Sequence, residues 1–297
     1  GGEPLPPLAA DQQTTDDLGR IAGTAVGAFL DMTRSVGFGP VEERQTTDAY
    51  GFVHQHSPRE KTTWIVRRPF DDENGAIAFL QRWISDRQAR TKAIEDDPAA
   101  YRQRFQESFL AIQGRIGDTV NLLTQQGVGL DSTRHLLGFE LFTYVQADQP
   151  GLVSEALEAM TVHNIAECHA IADVRLSPAV LTYSDIAYKE HLLHSPAYLR
   201  GEIFPRLQRL NDAWHEHGFK CLFHSDGYVM DVLDDLVDIG CDGLNPIETV
   251  AGMDLKAVRE RCGQKLFLAG GIDMSQLMAN GTPDEVRAVC EQSIADA

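Results

Sequence analysis

Three short apolar runs in the second half of the chain, Lys220 to Phe223, Gly243 to Asn245 and Lys265 to Ala269, recur at a near-constant interval. From Lys220 to Asp242 is 22 positions, and from Asp242 to Lys265 is 23. That interval holds one strand and one crossover helix, and strands joined in this way run parallel. The first gap carries the helix in its pattern: Val229, Leu233, Leu236 and Val237 form an apolar stripe that stops at Ile239-Gly240. Two earlier runs, Thr119 to Leu123 and Ala179 to Tyr183, are of the same strand type. Sustained β/α alternation sets the fold class as α/β. It leaves two architectures, an open doubly wound sheet or a closed eight-stranded barrel.

Helical periodicity fills much of the rest. Between Asp72 and Gly117, Ile77, Leu80 and Ile84 begin one stripe beside Trp83. Phe105, Phe109, Ile112 and Ile116 form another after the Asp97-Pro98 break, so two helices are expected. A long helix is expected over Leu152 to Ile171, and another over Pro196 to His217 with a kink at Pro205. Residues 1 to 18 hold three prolines and no apolar period, which reads as an extended or disordered lead-in, leaving one domain over 19–297.

Composition excludes several function classes. Forty-four Asp and Glu against 26 Lys and Arg give a formal charge of -18 with no basic cluster, so nucleic acid is a poor partner. The five cysteines are at least twenty positions apart, without a metal-binding or redox pair, as suits a reducing cytoplasm. No run approaches the ~20 apolar residues of a membrane-spanning helix.

In either architecture the ligand site lies at the carboxyl ends of the strands. There the apolar runs give way to polar groups: Tyr183, Ser184 and Asp185; His224, Ser225 and Asp226; Asn245 and Glu248; and Asp273 after Gly270-Gly271. His224 suits a general acid or base, or a metal ligand, and competes with a histidine locked by a backbone carbonyl. Asp226, ahead of Gly227, is equally suited to cap the next helix. Glu248 is placed over the rim by the Asn245-Pro246 turn, or is a helix-start charge. Gly270 and Gly271 let backbone approach a ligand, or relieve crowding, and belong to no phosphate-binding glycine motif. His54 and His56 on one strand face, and His191 and His194 one helical turn apart, are weaker chelating pairs without a third ligand. His215 and His217 sit at a helix end, where positive charge is favoured.

The run SDIAYKEHLLHSPAYLRGEIFPRLQRL (184–210), followed by FHSDG (223–227), LNPIE (244–248) and AGMDLKAVRERCGQKLFLAGGID (251–273), resembles the uroporphyrinogen decarboxylase superfamily over about 90 residues. HLLGFELFTYVQADQPGLVSEAL (135–157) and DAYGF (48–52) resemble its less-studied branches. The resemblance implies a (β/α)8 TIM barrel. Measured against it, the chain is expected to be a fragment lacking terminal strands.

The superfamily contains cofactor-free decarboxylases of porphyrinogens and corrinoid-linked methyltransferases that use zinc to activate a thiol. The implied partner is thus a small tetrapyrrole or a corrinoid protein. A decarboxylase-type lyase is the first expectation, corrinoid-dependent methyl transfer the second, and a noncatalytic corrinoid- or porphyrin-binding barrel the third. The lyase reading requires no cofactor and makes Asp185, His224 and Asp226 catalytic, with Tyr183, Asn245, Glu248, Gly270, Gly271 and Asp273 around the substrate. The methyltransferase reading requires zinc and a corrinoid.

Two departures bear on this choice. No QAGRY-type arginine segment of the decarboxylases is present, and zinc-dependent relatives have His-x-Cys where this chain has His224-Ser225-Asp226. With the thiolate replaced, the remaining ligand set is His224, Asp226 and Glu248. Because the usual thiolate is missing and an Asp before such a helix commonly caps it, no bound metal is the expectation, and purified protein should hold well under one equivalent of zinc.

Overall fold

The computed structural model describes residues 30–31, 43–57, 62–116 and 120–297. The lead-in expected over residues 1–18 lies outside them. Strand β1 (Leu30–Asp31) is followed by an antiparallel sheet of β2 (Arg44–Thr47), β3 (Val53–Ser57) and β4 (Thr62–Arg67). The DAYGF segment makes the turn into β3, where the Asp48 carboxylate accepts hydrogen bonds from the Tyr50 and Phe52 amides at 2.9 and 3.0 Å.

Helix α1 (Glu73–Asp96) starts at Asp72, whose carboxylate accepts from the Gly75 amide, and ends at Asp97 before Pro98 opens α2 (Pro98–Ile116). The two helices and their proline boundary match the periodicity. Strands β5 (Val120–Asn121) and β6 (Gln125–Gly127) come next, then α3 (Leu130–Leu137) and α4 (Phe139–Asp148) with Gly138 between them. Helix α5 (Pro150–Ile171) carries Pro150 in its first turn, where a missing amide costs nothing. It buries residues around much of its circumference and packs against α1, α2 and α4.

Strand β7 (Ala179–Tyr183) leads to a hairpin of β8 (Ala187–Tyr188) and β9 (His191–Leu192). His191 is therefore on a strand and His194 lies beyond it, correcting the expectation that they share a helical turn. The helix expected from Pro196 is built in pieces: α6 (Pro196–Tyr198), a wide π-type stretch over Leu199–Ile203, and α7 (Phe204–Glu216). The anticipated kink takes this form. Pro205 has no amide to donate, and the Phe204 amide reaches back five residues to the Leu199 carbonyl.

Strand β10 (Lys220–His224), helix α8 (Leu233–Asp238), β11 (Gly243–Asn245), α9 (Leu255–Cys262) and β12 (Phe267–Leu268) then follow at the interval seen in the sequence. Helices α10 (Leu277–Asn280) and α11 (Pro283–Asp296) come last.

The five strands β6, β7, β10, β11 and β12 form one parallel sheet in which spatial order follows sequence order. A doubly wound sheet reverses direction at a switch point; among the described residues this one does not. Nor do their ladders close a barrel: β1 and β5 pair only with each other. The shown architecture is thus a mixed α/β fold with a five-stranded parallel sheet. Phe219, Cys221 and Phe223 belong to the main core cluster, while Ala179, Leu181 and Leu222 pack with Leu122 in a smaller one. No described helix is long and apolar enough to cross a membrane.

Candidate active site

Parallel register puts Tyr183, His224 and Asn245 in one row, with His224 opposite Tyr183 on β7 and opposite Asn245 on β11. The strands end at this row. His224 Nδ1 lies 2.7 Å from Asn245 Oδ1, while Asn245 Nδ2 donates to the Ala269 carbonyl at 3.2 Å. The second bond orients the amide, so its oxygen faces the imidazole and His224 Nδ1 is the donor. The Nε2 atom is left to face the site.

Two loops bring carboxylates to that nitrogen. The loop after β7 and the loop after β10 are tied together. The Ser184 amide donates to the His224 carbonyl, the Ile186 amide to Ser225 Oγ, and the Asp226 amide to Asp185 Oδ1. Gly227 (φ +86°) completes the junction, because a Cβ there would come within 2.6 Å of the Ala187 backbone. As a result Asp185 Oδ1 and Asp226 Oδ1 each stand 3.8 Å from His224 Nε2. One ligand-type atom from each of the three residues falls within a 4.8 Å cluster.

The helix-cap reading of Asp226 is not what the loop does. The next helical turn spans Met230–Val232 with Val229 at its cap position and no side-chain cap. Asp226 instead turns toward His224. Burial raises its pKa, the carboxylates of Asp185 and Glu248 add to the rise, and His224 opposes it.

Glu248 is at the same rim but outside the three-residue group, its carboxylate accepting from the Gly227 amide at 2.8 Å. The Asn245–Pro246 peptide bond is cis, and Ile247 adopts φ +53°, a conformation rare for a β-branched residue. Gly270 (φ +129°) lies against this turn, where a Cβ would fall 1.5 Å from the Pro246 carbonyl oxygen. Gly271 donates its amide to the same oxygen. The need for glycine at 270 comes from this close backbone approach. Asp273 faces its own turn, accepting from Ser275 Oγ and from the Ser275 and Gln276 amides, and these bonds hold its carboxyl below the usual range.

Two cavities flank the group. One of about 210 Å³ is lined by His224, Asp226, Glu248 and Asp273, and one of about 580 Å³ by Tyr183, Asp185, Asp131, Arg68 and Arg134 among others. The last three residues were not singled out from sequence. Asp131 Oδ1 accepts from the Asp185 amide at 3.0 Å and pairs with Arg134 Nη2 at 2.7 Å, so it supports Asp185 from behind. Its signal was Asp131-Ser132-Thr133-Arg134 on one helical turn, immediately ahead of the segment that carries the family resemblance.

The weaker histidine pairs do not chelate together. His54 bonds Asp48, and His56 lies between Thr46 and Thr63. His215 bonds Asp242 at 2.7 Å near the amino ends of the strands, in a second metal-capable group with Cys221. A third, of Cys168, His169 and His217, also lies away from the carboxyl edge.

No protein-family model matches the chain, and no curated protein matches it by sequence. Among solved structures it is similar in fold to a methyltransferase from Methanosarcina mazei. The TM-score is 0.61 and the identity 17%, covering 97% of this chain and 76% of the other. That likeness speaks for the fold. It lends nothing to the decarboxylase reading.

Proposed function

We propose that the chain is a methyltransferase whose site binds a divalent cation through His224 Nε2, Asp185 and Asp226. The observation that carries this reading is the arrangement at His224. Its Nδ1 is committed to Asn245, and its Nε2 is aimed between two carboxylate oxygens at 3.8 Å each. A metal-binding histidine characteristically donates its other nitrogen to an oxygen that fixes the ring. An Nε2 lone pair facing two anions calls for a positive charge between them. One nitrogen and two carboxylates suit a zinc-like ion with a position left open. The fold likeness to a methyltransferase and the uroporphyrinogen decarboxylase resemblance both support this class.

When bound, such a cation supplies Lewis acidity that favours the deprotonated form of an acceptor thiol or hydroxyl. The chain's own residues hold the geometry. Asn245 fixes the imidazole, Asp131 holds the Asp185 backbone, and the bond from the Gly227 amide to Glu248 keeps the loop after β10 against the rim. In the transfer the acceptor loses its proton and gains the methyl group, and the donor keeps the electron pair of the broken bond. A corrinoid is the proposed donor. At about 580 Å³ the larger cavity has the size of a small-molecule site, so the corrinoid would approach from outside, on a partner protein.

The test is loss of the methyl–cobalt absorbance when methylcobalamin and a thiol are mixed with zinc-loaded protein. Asp185→Asn should slow the rate by at least about tenfold, the effect of losing ~1.4 kcal/mol of transition-state stabilisation. A wild-type rate no faster than that with zinc alone would overturn the methyl-transfer reading.

A further inference from the structure

The same cavity contains a cation that no carboxylate of the described residues pairs with. Arg68, just past β4, donates from Nε to the Leu136 carbonyl at 2.8 Å and from Nη2 to the His135 carbonyl at 3.0 Å, both in the last turn of α3. Its guanidinium lies against Gly138, where a Cβ would be only 3.0 Å from Cζ. Among the described residues no carboxylate pairs with it. Burial lowers its pKa with nothing offsetting the shift. Arg134 differs, being paired with Asp131. His135, also in the lining, has its pKa lowered by burial and by Arg68, so it supplies no second charge at neutral pH.

The carbonyls at the end of α3 offset part of the cost of this partly buried guanidinium, and an anionic ligand would supply the full countercharge. Asp185, in the lining of the same cavity, faces His224. Phe139, 59% exposed, and the ring of Tyr183 supply the aromatic part of a lining that is otherwise largely polar. We infer that this cavity holds the small substrate of the transfer, and that this substrate is a monoanionic carboxylate with an apolar body, its carboxylate on Arg68 and its reacting end toward Asp185 and His224. The single charge follows from the one guanidinium of the lining without a carboxylate partner among the described residues; with Nε and Nη2 given to the α3 carbonyls, Nη1 is the atom left to meet a carboxylate oxygen. A volume far larger than a carboxylate fills calls for a body beyond the acid, and Phe139 and Tyr183 are the surface against which an apolar body packs. The binding claim stands on the cavity itself; the role as transfer substrate rests on the methyltransferase reading.

The test uses metal-free protein and ligand-detected NMR with benzoate, its neutral isostere benzamide, and inorganic phosphate as probes. Benzoate should bind at least about tenfold more tightly than benzamide, the worth of one hydrogen-bonded charge, and phosphate should not displace it. Arg68→Met should abolish the preference and Arg68→Lys should restore part of it. Equal binding of benzoate and benzamide, no binding of either, or displacement by phosphate would overturn the inference. The wild-type comparison stands whether or not a variant folds. Cobalt(II) binding measured on the same samples separates the two readings: cobalt binding without benzoate preference sinks only this inference, and benzoate preference without cobalt binding sinks only the cation site.

Discussion

At the residue scale the site depends on Asn245 as much as on His224. Asn245 is bound on one side by the Ala269 carbonyl and on the other by His224 Nδ1, so a backbone group of the neighbouring strand end decides which imidazole nitrogen faces the rim. Asn245→Ala should leave a folded protein whose cation affinity falls about 10- to 100-fold, as for lost partners of other metal-bound histidines; unchanged affinity in a metal titration would show that the bond is incidental. A second prediction concerns Gly270. A Cβ placed 1.5 Å from the Pro246 oxygen cannot be absorbed by a side-chain shift, so Gly270→Ala should cost more than about 3 kcal/mol, in the range of severe single substitutions. Chemical denaturation measures this, and a loss under about 1 kcal/mol would contradict the close approach.

Elements were legible where their own pattern sufficed. Ala179 to Tyr183 and Gly243 to Asn245 are strands over the expected residues, and Asp97-Pro98 divides α1 from α2 as its chemistry requires. What local pattern does not contain was missed. Helices α3 and α4 are short and share Gly138, so neither shows a long apolar stripe. The antiparallel sheet that carries Arg68 to the cavity has β2 exposed along its whole length and little alternation to find. The partnership of Asp185 with Asp226 could not be read either. It depends on Ser225 and Gly227 locking two loops that are distant in sequence, and that locking also decides that Asp226 faces His224 rather than a helix amide.

The α1–α5 contact has its own pH dependence. His163 on α5 donates from Nδ1 to Thr91 Oγ1 on α1, whose hydroxyl proton is already given to the Arg87 carbonyl. Burial pushes the His163 pKa down from 6.5 to about 4, with Arg87 and Arg90 adding to the effect. Between those values the unfolded chain takes a proton that the folded chain refuses, so stability falls as pH drops from 6.5 toward 4, by up to about 3 kcal/mol from this residue. His163→Gln should flatten that part of a Tm–pH profile. An unchanged slope would contradict the assignment. His194, lowered to about 4 by burial, gives a separate contribution that the variant retains.

For the molecule as a whole, the parallel sheet, the loops at its carboxyl edge and the antiparallel sheet meet around one site. Strand order that follows sequence order over five strands is what one side of a barrel requires, and it keeps successive strand ends, and the groups they carry, beside one another. The expectation of little zinc rests on the missing thiolate and on Asp226 capping a helix, and the structure removes the second of these grounds. Elemental analysis of purified protein after zinc loading and removal of free metal is therefore decisive. The predicted result is close to one equivalent per chain in the wild type and far less in His224→Ala. A wild type without bound zinc, or a His224→Ala variant that retains all of it, would contradict the cation site at His224, Asp185 and Asp226.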